Sequence, residues 1–336
     1  MKNLLVTGGA GFIGSNFVRH MLRTRPDYRI VVFDKLTYAG NRANLADVAD
    51  HPNYAFVQGD ICVAADVRGA IQQHDIDTVV NWAAETHVDR SILDPDAFVR
   101  TYVYGVFVLC EAVMALGLER LHHVSTDEVY GAIPQGKFKE TDNFNPTSPY
   151  SAAKTGGELL ALAYWKTYGT PITVTRGVNT YGPYQYPEKA IPLFVTNALD
   201  DLPLPIYGDG SMIRDRLHAI DHARAVAVVL HHGALGEAYN VAADMEYTNI
   251  EVARRILAIL GKPDSLLQFV LDRPAHDVRY ALDGEKLGAL GWEPTITFEE
   301  GLAETVRWYA DNPDWWRPIK SGEYLRYYQQ QYEERE

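Results

Sequence analysis

The first half of the chain alternates short aliphatic or β-branched runs with helical stretches. Leu4-Leu5-Val6 leads through a glycine-rich turn into a helical stretch from Phe12 to Leu22. Ile30 to Phe33 and Tyr54 to Val57 follow, then a helical pattern from about Val63 to Gln73. Thr78-Val79-Val80 precedes a long helical stretch, Ala97 to Leu116, and Leu121 to Val124 comes after it. Continuous apolar strands separated by helices predict a parallel sheet covered on both faces. Right-handed crossovers make such a sheet doubly wound, of the Rossmann type. Beyond about residue 180 the rhythm changes, and Pro183, Pro187, Pro192, Pro203, Pro205, Pro263, Pro274 and Pro294 punctuate shorter elements. The pattern predicts an α/β protein with a nucleotide-binding domain over 1–180 and a smaller mixed α/β lobe over 181–336. Segments near 215–240 and 298–311 are expected to pack back on the first domain.

Composition narrows the partners. With 336 residues, 31 Lys+Arg and 44 Asp+Glu, the net charge is −13, which argues against a nucleic-acid or anionic-membrane partner. No apolar run approaches the ~20 residues that span a bilayer. The apolar start ends at Thr7-Gly8-Gly9, short of a signal-peptide core. Cys62 and Cys110 form neither a Cys-x-x-Cys pair nor a disulfide framework. A cytoplasmic enzyme is the expectation.

Two features carry candidate chemistry. Gly8, Gly11 and Gly14 lie between the first strand and the first helix, where a glycine turn admits a pyrophosphate to free N–H groups. Asp34 ends the second strand, placed to accept hydrogen bonds from ribose hydroxyls and to repel a 2′-phosphate, so NAD is expected rather than NADP. The phosphate-loop alternative needs Gly-Lys-Ser/Thr, and the chain has none there. Ser148-Pro149 reads as a helix start that sets Tyr150 and Lys154 on one face. A lysine ammonium near a phenol lowers its pKa, making Tyr150 a candidate base. Thr126, Asp127 and Glu128 follow the fifth strand, where parallel sheets place active sites, and neighbouring carboxyls there can divide into acid and base. His218 and His222 are four apart without a zincin pattern or third ligand, so no metal is expected.

With these motifs in view, the chain resembles the extended short-chain dehydrogenase/reductase family and, within it, its sugar-nucleotide dehydratases. The resemblance runs nearly end to end, through Asp34 to Asn41, Ala83 to Ser91, Ser125 to Gly131, Tyr150 to Lys154, Tyr181 to Gln185, Tyr207 to Gly210 and Lys320 to Tyr324. The Thr126-Asp127-Glu128 triplet discriminates, since related 4-epimerases carry small residues there and sugar decarboxylases a Ser-Glu pair. The resemblance implies water loss from a nucleoside-diphosphate glucose, a thymidine one before others, giving the 4-keto-6-deoxy sugar. Tyr150, helped by Lys154 and Thr126, would deprotonate the 4-hydroxyl as C4 is oxidised. Glu128 would take the C5 proton and Asp127 would protonate the leaving 6-hydroxyl.

The resemblance also implies a cofactor site of Phe12, Ile13, Lys35, Leu36, Thr37, Asp60, Ile61, Ala83, Ala84 and Thr86, besides the glycines, Asp34, Tyr150 and Lys154. His87, Thr126, Asn179, Lys189, Pro205, Tyr207, Arg214, Arg273 and His276 would line the sugar nucleotide. Arg214 and Arg273 also suit a diphosphate on chemical grounds, as planar permanent cations. The chain departs from the usual pattern at Tyr102, Thr180, Arg216, His218, Ala242 to Met245 and Ala275. Tyr102 stands where Asn is usual, and Arg216 and His218 where Trp and Tyr are. A 4-epimerase on the same scaffold would not need Asp127 and Glu128, and a non-catalytic NAD-bound interaction protein would need neither Tyr150 nor Lys154. The apolar girth of 97–116 and 149–168 suggests a homodimer.

Overall fold

The computed structural model describes residues 1–272 and 277–322, with Tyr324, Arg326 and Tyr328. The first half builds β1 (Asn3–Thr7), α1 (Phe12–Thr24), β2 (Arg29–Asp34), β3 (Tyr54–Gln58), α2 (Ala64–Gln73), β4 (Thr78–Asn81), α3 (Val88–Leu93) and α4 (Asp96–Val99). Next come α5 (Val106–Leu116), β5 (Arg120–Thr126), α6 (Pro149–Tyr168), β6 (Ile172–Gly177), β7 (Asn179–Tyr181), α7 (Ala190–Leu199) and β8 (Leu204–Tyr207). The chain continues through β9 (Ile213–His218), α8 (Ala219–His232), β10 (Ala238–Val241), β11 (Glu246–Thr248), α9 (Asn249–Leu260), β12 (Leu267–Val270), α10 (Glu285–Gly288) and α11 (Phe298–Asp311).

Seven parallel strands pair in the order β10-β6-β5-β4-β1-β2-β3, a doubly wound sheet whose chain reverses direction between β1 and β4. Leu4, Leu5 and Val6 are fully buried in its centre because both faces are covered. One face packs Val67, Leu109, Val113 and Ala161, the other Phe17, Met21, Val226 and Leu230. Each such aliphatic side chain contributes roughly 1.5–3 kcal/mol by leaving water. The second lobe uses a three-stranded sheet, β11-β9-β7, and the parallel pair β12-β8. Helix α8 lies against α1, and β10 extends the large sheet beside β6.

Two expectations need correction. Helix α11 does not pack on the large sheet: Phe298, Leu302, Val306 and Tyr309 bury against α7 and α9 in the second lobe. Its apolar stripe finds the matching surfaces of Phe194 and Ile256 there. The stretch Asp96–Leu116 is one helical run, long and apolar enough by length and composition to cross a membrane. Its inner face, with Val106, Leu109, Cys110 and Val113, is nonetheless core beneath the sheet. A π turn over Arg100–Gly105 breaks its regularity. Helix α6 comes so close there that a Cβ on Gly157 would sit 2.1 Å from the Tyr102 carbonyl oxygen, which accounts for a glycine inside that helix.

Candidate active site

The carboxyl ends of β1, β2, β4, β5 and β6 open on a cleft of about 300 Å³. The glycine turn forms its floor. Gly8 has φ +66° and an added Cβ would lie 2.6 Å from the Ala83 nitrogen, while one on Gly14 would lie 2.4 Å from the Gly8 carbonyl oxygen. Internal packing therefore requires both. At Gly11 an added Cβ would meet only that carbonyl, at 3.2 Å, and otherwise fill the cleft. Gly11 also caps α1 without a side-chain hydrogen bond, leaving first-turn N–H groups to an anion. Asp34 is buried at the end of β2, and its carboxylate accepts from the Ala10 and Leu36 amides at 2.9 and 2.8 Å. Burial pushes its pKa up, against those two bonds. This cradle, open at Gly11 and closed by a carboxylate, fits a dinucleotide.

Lys35, which pairs with Asp60 at 2.8 Å, lines the same cleft with Phe12, Ile13, Thr37, Ile61, Ala83, Ala84 and Thr86. Leu36 does not: it packs against the core on the Phe17 and Met21 face of the sheet and serves the site through its amide on Asp34.

At the inner end stand Thr126, Asp127, Glu128, Tyr150 and Lys154. Thr126 ends β5 and caps a short 3₁₀ turn, Asp127–Tyr130, which turns both carboxylates toward the cleft. Thr126 Oγ1 donates to Asp127 Oδ1 at 3.0 Å, and Asp127 Oδ2 is buried with no partner among the described residues. Burial, then the charge of Glu128, pushes the Asp127 pKa up to about 8. Asp127 is therefore a protonated acid at neutral pH, with its O–H available to a ligand. Helix α6 opens with Ser148 accepting from the Ser151 amide at 3.1 Å and Pro149 in the first turn, which brings Tyr150 and Lys154 inward.

The expected electrostatics of that pair differ. Lys154 Nζ donates to the Val124 carbonyl at 3.1 Å and lies 4.5 Å over the Tyr102 ring, and burial pushes its pKa down to about 8. The Tyr150 phenol is raised by burial and by Glu128 and Asp127, which outweigh its hydrogen bonds with Thr126 and Tyr102. Among the chain's own groups desolvation dominates the phenol, and the Lys154 ammonium is engaged by the Val124 carbonyl. Tyr102 completes the cluster, its ring edge-on to Tyr150 at 5.7 Å and its hydroxyl on the Glu85 carbonyl.

A second cleft of about 180 Å³ joins the first at His87, Val88, Glu128, Asn179 and Lys189. Pro205, Tyr207 and Arg214 line it, as the sequence predicts for the sugar nucleotide. Arg214 donates to the Ile213 and Asp277 carbonyls at 2.7 and 2.9 Å, with its guanidinium 4.5 Å over the Tyr280 ring. Asp89, Glu188, Arg216, Asn249 and Tyr280 also line this cleft and were not among the predicted residues. Asp89 lies in a stretch matched to the family and Arg216 two positions after Arg214 on one strand, but neither was singled out. Arg273 and His276 lie outside the described residues. His218 Nδ1 accepts from the Ile220 amide and His222 Nδ1 pairs with Thr180 Oγ1 at 2.8 Å, so both histidines have structural work.

A doubly wound sheet with a glycine turn, a ribose-facing aspartate and an inward Tyr/Lys pair in one cleft defines an extended short-chain dehydrogenase/reductase. The chain belongs to the GDP-mannose 4,6 dehydratase family, whose model matches residues 5–305. It is 51% identical over 323 residues to dTDP-glucose 4,6-dehydratase of Streptomyces niveus, covering 95% of this chain and 96% of that one. The crystal structure of dTDP-glucose 4,6-dehydratase from Streptomyces venezuelae with NAD and TYD bound superposes with a TM-score of 0.92 at 49% identity, over 95% and 100% of the two chains. UDP-glucose 4-epimerase of Thermus thermophilus, solved with NAD, is more distant, with a TM-score of 0.85 at 32% identity over 92% and 99%.

Proposed function

We propose that this chain is an NAD-dependent hydro-lyase that converts a nucleoside-diphosphate glucose, dTDP-glucose before others, into its 4-keto-6-deoxy sugar. The carrying observation is the pairing of Asp127, buried with a free oxygen and a raised pKa, with Glu128 where the two clefts meet. A 4-epimerase has no use for an acid and a base at that junction. Gly8, Gly11, Gly14 and Asp34 would hold the cofactor, with Lys35, Thr37, Asp60 and Ile61 along its adenosine side. When bound, NAD supplies a reversible hydride acceptor, and its positive charge favours ionisation of Tyr150.

Tyr150 takes the proton of the 4-hydroxyl, with Thr126 and Lys154 stabilising the phenolate. The 4-keto group acidifies C5–H, and Glu128 removes that proton. Asp127 gives its proton to the 6-hydroxyl, which leaves as water and creates the C5–C6 double bond. Glu128 then returns a proton to C5 as C6 is reduced, Tyr150 releases the 4-hydroxyl proton to solvent, and Asp127 takes one up, so all three return to their starting states. Lys189, Arg214 and Asn179 hold the substrate in the second cleft.

The division of labour would follow the lobes, with residues 1–180 holding NAD and 181–336 the sugar nucleotide. A homodimer would cover the exposed apolar residues Val99, Tyr104, Phe107, Met114 and Leu159 of the 96–116 and 149–168 helices. Two free thiols, Cys62 and Cys110, accord with the cytoplasm. The direct test is incubation with dTDP-glucose without added reductant. A 4-keto chromophore in alkali is expected, while a galacto-configured product would support an epimerase.

A further inference from the structure

Strand β9 alternates its side chains across the three-stranded sheet. Asp215 points one way and accepts from the amides of Ala243, Asp244 and Met245 at 2.8, 3.1 and 2.8 Å, so its carboxylate is fully occupied. Arg214 and Arg216 point the other way, into the second cleft. Arg216 is 6% exposed, donates once, from its terminal nitrogen to Asn249 Oδ1 at 2.7 Å, and its Nε has no partner. Among the described residues it forms no salt bridge. Burial and the neighbouring Arg214 push its pKa down to about 9, as for a cation short of counter-charge. A guanidinium kept from water without an anion is costly, and a phosphate oxygen is the partner its planar fork fits.

We propose that Arg216 is a specificity-determining residue of the second cleft, binding the diphosphate of the nucleotide beside Arg214. This rests on the sugar-nucleotide reading above. Lys189 reaches the same cleft from another element, so the diphosphate meets cations on two sides. Two of the carboxylates there have their own partners: Asp89 accepts from Tyr207 at 3.2 Å, and Glu188 from Arg90 and Tyr38 at 3.1 and 2.8 Å, while Glu128 stands at the junction with the first cleft.

The test is binding of dTDP and of thymidine to the purified holoenzyme by calorimetry, for the native chain, Arg216→Met and Arg216→Lys. Folding is checked by thermal melting and NAD content by absorbance. Arg216→Met should bind dTDP about 10- to 100-fold more weakly, since a charged hydrogen-bond donor is lost. Arg216→Lys should recover part of that loss as a point charge, and thymidine affinity should change less than about threefold in either variant. Unchanged dTDP affinity in a folded Arg216→Met, or equal losses for dTDP and thymidine, would overturn the proposal. If the Met variant does not fold, the Lys variant decides: a loss for dTDP alone supports it, and native-like or equal losses refute it. A native protein that binds no dTDP at all would instead refute the underlying reading.

Discussion

Asp127 shows how one buried carboxyl is given a role by its surroundings. Its folded pKa lies near 8 against an ordinary 3.8, so the native state holds a proton that the unfolded chain releases between those values. Stability contributed at low pH is therefore lost as pH rises from about 4 to 8. Asp127→Asn should melt higher than the native protein by a margin that grows over that range, measured by scanning fluorimetry. On the proposed mechanism the same proton is spent in water loss, so turnover should fall above pH about 8, and Asp127→Asn should lack that alkaline limb. Its overall rate should drop about 10²–10⁴-fold, with reduced cofactor accumulating as absorbance near that of NADH. Tyr150→Phe should lose turnover by a similar factor without that accumulation, because oxidation at C4 is itself blocked. The candidate residues were legible as a motif, Thr126-Asp127-Glu128, and the roles proposed for them came with the family resemblance. The source of their pKa values was not, because desolvation is a property of the packed cleft rather than of spacing along the chain.

At the scale of elements, the turn between β1 and α1 separates two reasons for glycine. Gly14→Ala drives a Cβ into the Gly8 carbonyl at 2.4 Å, and about 1–3 kcal/mol of stability should go with it, read from urea unfolding. Gly11→Ala meets that carbonyl at 3.2 Å and little else, so the fold should survive while bound NAD falls about tenfold, read from nucleotide released on denaturation. Sequence spacing marked both glycines alike; only their neighbours across the turn tell them apart. The start of α6 was readable because Ser148 and Pro149 are local signals. The π turn at Arg100–Gly105 was not, since it answers to the approach of Gly157 from a distant helix. Helix α11 was misplaced for the same reason: an amphipathic stripe says that a face is buried, not which layer receives it.

For the whole molecule, the parallel sheet followed from unbroken apolar strands, and the second lobe from a change in texture. The meeting of the two clefts could not be read from spacing along the chain, because it joins the start of α3 and the turn after β5 to β7 and the start of α7. The exposed apolar face of the 96–116 helical run is where a second copy is expected. Phe107→Glu should convert a dimer near 75 kDa, about twice the 37.7 kDa chain, to a monomer in light scattering, with its melting temperature little changed. The central claim is that the hydrogen removed from C4 of the sugar is the one delivered to C6 within a single turnover. The most direct measurement gives the protein dTDP-glucose deuterated at C4 and follows the label by NMR and mass spectrometry. Deuterium in the C6 methyl group of the product is the predicted result. Deuterium lost to water or restored to C4 would contradict the account.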